Sequence, residues 1–316
     1  MSCGAVAYVF LLIGFWEAAR HSALLATLGS KLPYAFASFA LLLAPLWFFG
    51  FGAAEWIRVR VKSVTIRVLL SALLALPYFV FAVSSGLLRW KFAAAMLVVP
   101  VIMAALLRSS ALQEKLAWQD VVVLALIAAA HISKWLAPAW PYPGLAFLPK
   151  LYLIDVALYL YLVVRGLGGM GYSLIPWRAS FAAGLRGFCY FLLLGLGLGA
   201  ATHFIHLHRH IPSGLTAAGT VVVTFLLVAI PEEIFFRAIL QNLLETRIGR
   251  TRSLLVASVL FGLGHFNKGA VFNWRYVVLA AIAGVFYGRA WRAQRQVLAS
   301  AITHTAVDVV WSLWFR

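Results

Sequence analysis

The chain has 316 residues, 64% of them hydrophobic and 11% charged, with a mean hydropathy of +0.95 and a formal net charge of +17. A soluble domain is typically about 45–50% apolar and about 25% charged, so this composition excludes a water-soluble globule. The apolar runs are continuous rather than alternating, which excludes a membrane barrel and leaves an all-α, polytopic transmembrane helical bundle of about 8–11 membrane helices.

The predicted helices fall near residues 3–19, 33–54, 68–88, 92–107, 121–132, 151–164, 187–205, 215–241, 253–266, 276–290 and 297–315. The first, from Cys3 to Trp16, lacks a basic stretch before it and reads as a retained span rather than a cleaved signal. Ala111–Asp120 reads as a short interfacial helix, and Trp135–Lys150, with four prolines, as an irregular loop. Gly195 with Gly199, and Gly284 with Gly288, are small residues four apart and fit close helix packing. The expected organisation is an N-terminal membrane region, 1–186, of unassigned role, and a C-terminal region, 187–316, that carries the chemistry.

Twenty-six Lys and Arg face nine acids. They lie scattered between apolar runs, which speaks against nucleic-acid binding and for loops that meet anionic lipid headgroups. The larger basic set, which includes Arg58, Arg108, Arg165, Arg250 and Arg292, puts the N-terminus in the cytoplasm if there are eleven spans. Cys3 and Cys189 are far apart and give neither a disulfide framework nor a metal spacing. The expected location is an integral, multi-pass position in a bacterial inner (plasma) membrane.

Ionisable groups inside the apolar runs are few. They are Glu232, Glu233, Arg237, His265, His304 and Asp308 in the last third, with His131 and Asp155 earlier. Each charge at that depth costs at least about 2.5–3.5 kcal/mol, so the cluster calls for a function. Glu233 and Arg237 are four apart and share a helix face, whereas Glu232 is rotated by about 100° and is left to point elsewhere. Pro231 lacks an N–H and disturbs the turn before it. At about 1.5 Å per residue from Arg250, Glu232 lies about 27 Å and His265 about 22 Å along their helices. From Arg292, His304 lies about 18 Å and Asp308 about 24 Å along, so all four reach one depth in a core of about 30 Å.

Such a set suits hydrolysis by activated water. A carboxylate stripped of water becomes a stronger base and works near neutral pH. Glu232 would take the proton, His265 would share the water, and His304 would hold the oxyanion. Asp308, if ionised, accepts and does not donate. It must be protonated, orient His304, or bind something else.

At these residues the sequence resembles the CAAX prenyl endopeptidase and bacteriocin-processing (CPBP, Abi) family of intramembrane proteases. The match is Glu232-Glu233-x-x-x-Arg237, then Phe261-x-x-x-His265, then His304-x-x-x-Asp308, within roughly 187–316. The resemblance implies peptide-bond hydrolysis in a helical bundle, with Glu232, His265, His304 and Asp308 catalytic and Glu233 and Arg237 supporting. The family pattern often has Asn where this chain has Asp308. The resemblance also implies a glutamate-type mechanism without a cofactor. On ligand type alone Glu232, His265, His304 and Asp308 would also suit zinc. The implied partners are membrane lipids and a lipidated protein or membrane-embedded peptide, such as a CAAX-like tail or a C-terminal sorting signal.

Two other classes compete. A non-catalytic peptide-binding or bacteriocin-immunity protein would need the same pocket without turnover. A transporter would use buried acids and histidines as a proton relay, but no duplicated broken-helix pattern supports it. His203, His206, His208 and His210 form a separate cluster that reads either as a metal or pH-sensitive site or as a polar interfacial loop.

Overall fold

The computed structural model describes residues 2–111, 113–208, 212–267 and 272–315. These residues form helices and no strands, and eight helices are long and apolar enough to cross a membrane. Large apolar side chains such as Phe10, Leu193 and Leu215 stand on their outer faces, as helices solvated by lipid require. The chain is an integral, multi-pass membrane protein. It divides into two compact units, 1–167 and 168–316.

The first unit contains α1 (Ser2–Arg20), α2 (Ala23–Phe49), α3 (Ala53–Arg60), α4 (Val64–Ser84), α5 (Trp90–Arg108), α6 (Trp118–Ile132) and α7 (Pro143–Val164). Polar residues start several of them. Ser22 Oγ accepts the Leu24 N–H at 3.2 Å, and Ser63 Oγ accepts that of Ile66 at 3.3 Å. Residues 151–161 of α7 are all buried, which is why that run is apolar on every face. Asp155 is the exception there: it is buried, with Oδ1 lacking a hydrogen-bond partner among the described residues, whereas His131 on α6 is exposed.

Of the interfacial helix expected at Ala111–Asp120, the described residues 113–117 are not helical, and α6 starts only at Trp118. The reason is Arg165, buried just past α7. Its guanidinium donates to the Gln113 carbonyl at 2.6 Å and the Lys115 carbonyl at 3.3 Å, acceptors that a helix would keep for itself. The same group pairs with Asp120 at 3.0 Å, while Asp120 accepts the Ala117 N–H at 2.8 Å and so starts α6.

The second unit contains α8 (Arg178–Ala201), a helix over 214–248 (α9), a second over 250–263 (α10), α11 (Trp274–Gln294) and α12 (Val297–Trp314). α9 and α10 join directly at Gly249, whose φ of 77° only glycine adopts without strain. The basic residues Arg247, Arg250 and Arg252 therefore sit on helix ends instead of in a loop. Ser213 caps α9 through the Thr216 N–H at 3.2 Å, and Asn273 caps α11 through Arg275 at 3.1 Å and Tyr276 at 3.3 Å.

α8 lies close on α12, and the Thr303 hydroxyl donates to the Gly184 carbonyl at 2.8 Å. The close approach is at Gly184 and Gly187, where a Cβ would meet Ile302 and Thr303. Gly195 and Gly199, the expected packing pair, make room instead for Phe191 and Ile205 of their own segment.

Candidate functional site

α9 carries the first three polar residues past a proline without breaking. Pro231 cannot donate to the turn before it, and the helix widens on both sides, over Thr224–Ala229 and Ile234–Gln241. The Ile230 N–H reaches five residues back to Phe225, and the Asn242 N–H five back to Arg237. The expected disturbance at Pro231 is absorbed by these wide turns.

Glu233 and Arg237 pair as their spacing predicts, Nε to Oε2 at 3.1 Å, with both side chains fully buried. The guanidinium also lies over the Phe261 ring at 5.3 Å. Room for it comes from α11: a Cβ on Gly284 would stand 3.2 Å from Arg237 Nη2, and one on Gly288 would stand 2.5 Å from Gln241 Oε1. The Gly284–Gly288 pair thus gives close helix packing, as its spacing predicts, but what it admits is a buried arginine. Gly288→Val is expected to lower Tm, by overpacking of about 1–3 kcal/mol, and to lower activity with it. A thermal melt equal to wild type would show that α11 yields there.

Glu233 has a second partner that spacing did not reveal. Its Oε1 lies 2.8 Å from His304 Nδ1. A carboxylate already paired with arginine accepts, so Nδ1 carries the proton and donates to it. His304 Nε2 is thereby turned toward the remaining acids, 3.7 Å from Glu232 Oε2 and 3.5 Å from Asp308 Oδ2. Asp308 is one turn further along α12 on the same face, as its spacing implied.

His265 follows the end of α10. Its Nδ1 lies 2.8 Å from the Phe261 carbonyl four residues back, which makes Nδ1 the donor and leaves Nε2 with a lone pair. Phe261 stands between the two histidines, its ring 4.8 Å from His265 and 5.5 Å, edge on, from His304. His265, His304 and Asp308 line one cavity of about 100 Å³, whose other walls are mainly aromatic and aliphatic. Helices α9 and α12 and the turn after α10 thus bring Glu232, Glu233, Arg237, His265, His304 and Asp308 into one neighbourhood.

Sequence reading missed two residues of this neighbourhood. Tyr287 stacks on the His304 ring, centroids 4.5 Å apart and 14° from parallel. Tyr276 packs edge on to His265 at 5.1 Å. Both lie on α11, which carries no charge in that stretch, so the only signal was a tyrosine between Gly284 and Gly288.

The donor types present suit zinc, which needs its ligands about 2.0–2.2 Å from one centre. Among the described residues no three His, Cys, Asp or Glu side chains are grouped to hold a metal ion. His203, His206 and His208 share in that finding, and His210 lies outside the described residues.

Residues 214–310 match the family described as type II CAAX prenyl endopeptidase Rce1-like. The match begins with α9 and ends within α12, so it spans the acidic, arginine and histidine positions described above and none of the first unit. No curated protein matches the chain, and no solved structure does.

Proposed function

We infer, from the place of residues 214–310 in the CAAX prenyl endopeptidase family, that this CAAX-type intramembrane endopeptidase works by a water that Glu232 activates. The observation that carries this reading is the division of labour between adjacent acids. Glu233 is taken up by Arg237 and His304 Nδ1, while Glu232 faces the other ring nitrogen of the same histidine, 3.7 Å from His304 Nε2. A gap of that size suits a bridging water better than a direct hydrogen bond.

In the proposed step the water adds to a peptide carbonyl and gives a proton to Glu232. His265, whose Nδ1 is held by the Phe261 carbonyl, accepts from the same water through Nε2 and holds it in line. Charge that develops on the carbonyl oxygen calls for donors fixed in advance, which supply the larger part of such catalysis, and His304 Nε2 is the donor this reading gives it. Asp308 lies beside His304 Nε2 and serves to orient that ring. The apolar, aromatic-lined cavity favours a membrane-embedded or lipidated peptide, such as a C-terminal sorting signal or a CAAX-like tail. The bacterial inner (plasma) membrane goes with the bacteriocin-processing side of the resemblance, and fractionation of the source cell tests it.

We propose that no metal takes part; the lack of any three grouped ligands among the described residues supports this. Purified wild type is expected to cleave a membrane peptide in detergent or vesicles, and to do so undiminished after chelation in protein shown to be metal-free. Loss of cleavage on chelation, restored by zinc, would establish the zinc reading. Wild type that binds such peptides and never cleaves them would establish the peptide-binding one.

A further inference from the structure

We propose that Tyr287 is a further catalytic residue, its phenol O–H donating to the oxyanion formed at the scissile carbonyl. The proposal rests on the endopeptidase reading above, and it answers a shortage of donors within it. His304 Nδ1 is committed to Glu233, so Nε2 can donate as well only when the ring is an imidazolium. Asp308, when ionised, has no proton to give. With the water's proton on Glu232, the site as described would then face a developing negative charge with the carboxylates of Glu233 and Asp308 and one conditional donor.

Tyr287 supplies a neutral donor that needs no prior protonation. It lies on α11, with its ring almost parallel to the His304 ring. Phe261 packs edge on against it at 5.7 Å and 80°, and the ring belongs to the buried cluster with Phe191, Ala280 and Ala283. Its direction is therefore set by packing, as preorganised stabilisation requires. The side chain lines the same cavity as His265, His304 and Asp308, and its hydroxyl makes no hydrogen bond among the described residues. The His304 ring on which it stacks lies 2.8 Å from Glu233 and 3.5 Å from Asp308, which places the tyrosine beside the acidic cluster.

The step balances without moving the tyrosine proton. The water oxygen forms the new C–O bond, its proton passes to Glu232, and the carbonyl π pair moves onto oxygen. Tyr287 and His304 hydrogen-bond that oxygen. As the oxyanion collapses, the C–N bond breaks with its electron pair on nitrogen, which takes the proton from Glu232. Tyr287 keeps its proton throughout and is ready for the next turnover.

Tyr287→Phe keeps the ring and removes only the donor. It is expected to lower kcat by about 10²–10³-fold, the usual effect of deleting one oxyanion donor, while KM changes by less than about threefold. A second variant guards against a merely structural effect. Asp308→Asn places an amide donor at the neighbouring position, so the double variant Tyr287→Phe/Asp308→Asn should recover part of the lost kcat. Equal kcat in wild type and Tyr287→Phe overturns the proposal. So does a fall in kcat that tracks a lowered Tm and is not relieved by Asp308→Asn. A wild type that cleaves, with Glu232→Gln dead and Tyr287→Phe untouched, removes this inference alone. A wild type that cleaves no membrane peptide removes the endopeptidase reading and this with it.

Discussion

Glu232→Gln is expected to lower kcat by roughly 10²–10⁴-fold, the range of a lost general base, with Tm and peptide affinity close to wild type. The amide has nearly the size of the carboxyl, so the cavity keeps its shape. Arg237 keeps its own partner in this variant, because Glu233 holds it. His265→Asn should fall in the same direction, since the ring lone pair that would hold the water is gone. Turnover by Glu232→Gln at the wild-type rate would sink the proposed mechanism, whatever happens to the other residues.

Changes at Glu233 should behave in the opposite way, through stability first. Glu233→Ala strands a fully buried guanidinium, and breaking a buried pair from one side costs about 3–5 kcal/mol. The double change Glu233→Leu/Arg237→Met replaces both charges with apolar groups and is expected to regain most of that loss, because such replacements are often neutral or stabilising. Activity is not expected to return with it. His304 Nδ1 would have lost its acceptor, and nothing would turn Nε2 toward Glu232 and Asp308. Thermal melts of the single and double variants, set beside their cleavage rates, separate the two effects. Recovery of both together would show that Glu233 serves only to neutralise Arg237.

That contrast also marks how far the sequence could be read. The helical bundle was legible because lipid leaves a backbone no other place to put its polar groups, so composition alone selects the class. The polar residues were legible for the same reason. In a chain this apolar, a charge inside an apolar run is costly enough to stand out, though the buried Arg165–Asp120 pair at the ends of its runs did not, and the i, i+4 spacing of Glu233 with Arg237 and of His304 with Asp308 survives into the structure. Local rules succeeded wherever both partners lie on one helix.

They failed where a distant partner decides. Ala111–Asp120 had helical composition, yet Arg165 takes its carbonyls from about fifty residues away in sequence, and the helix gives way to a turn. Gly284 and Gly288 announced close packing but not that a guanidinium fills the space. Sequence alone determined that this is a multi-helix membrane protein and which ionisable residues interrupt its apolar runs. Only the tertiary structure decided that Glu233 grips both Arg237 and His304, and that Tyr287 lies on that same histidine. Those contacts join α9, α11 and α12, and which helix faces meet depends on packing between segments, which no periodicity within one segment encodes.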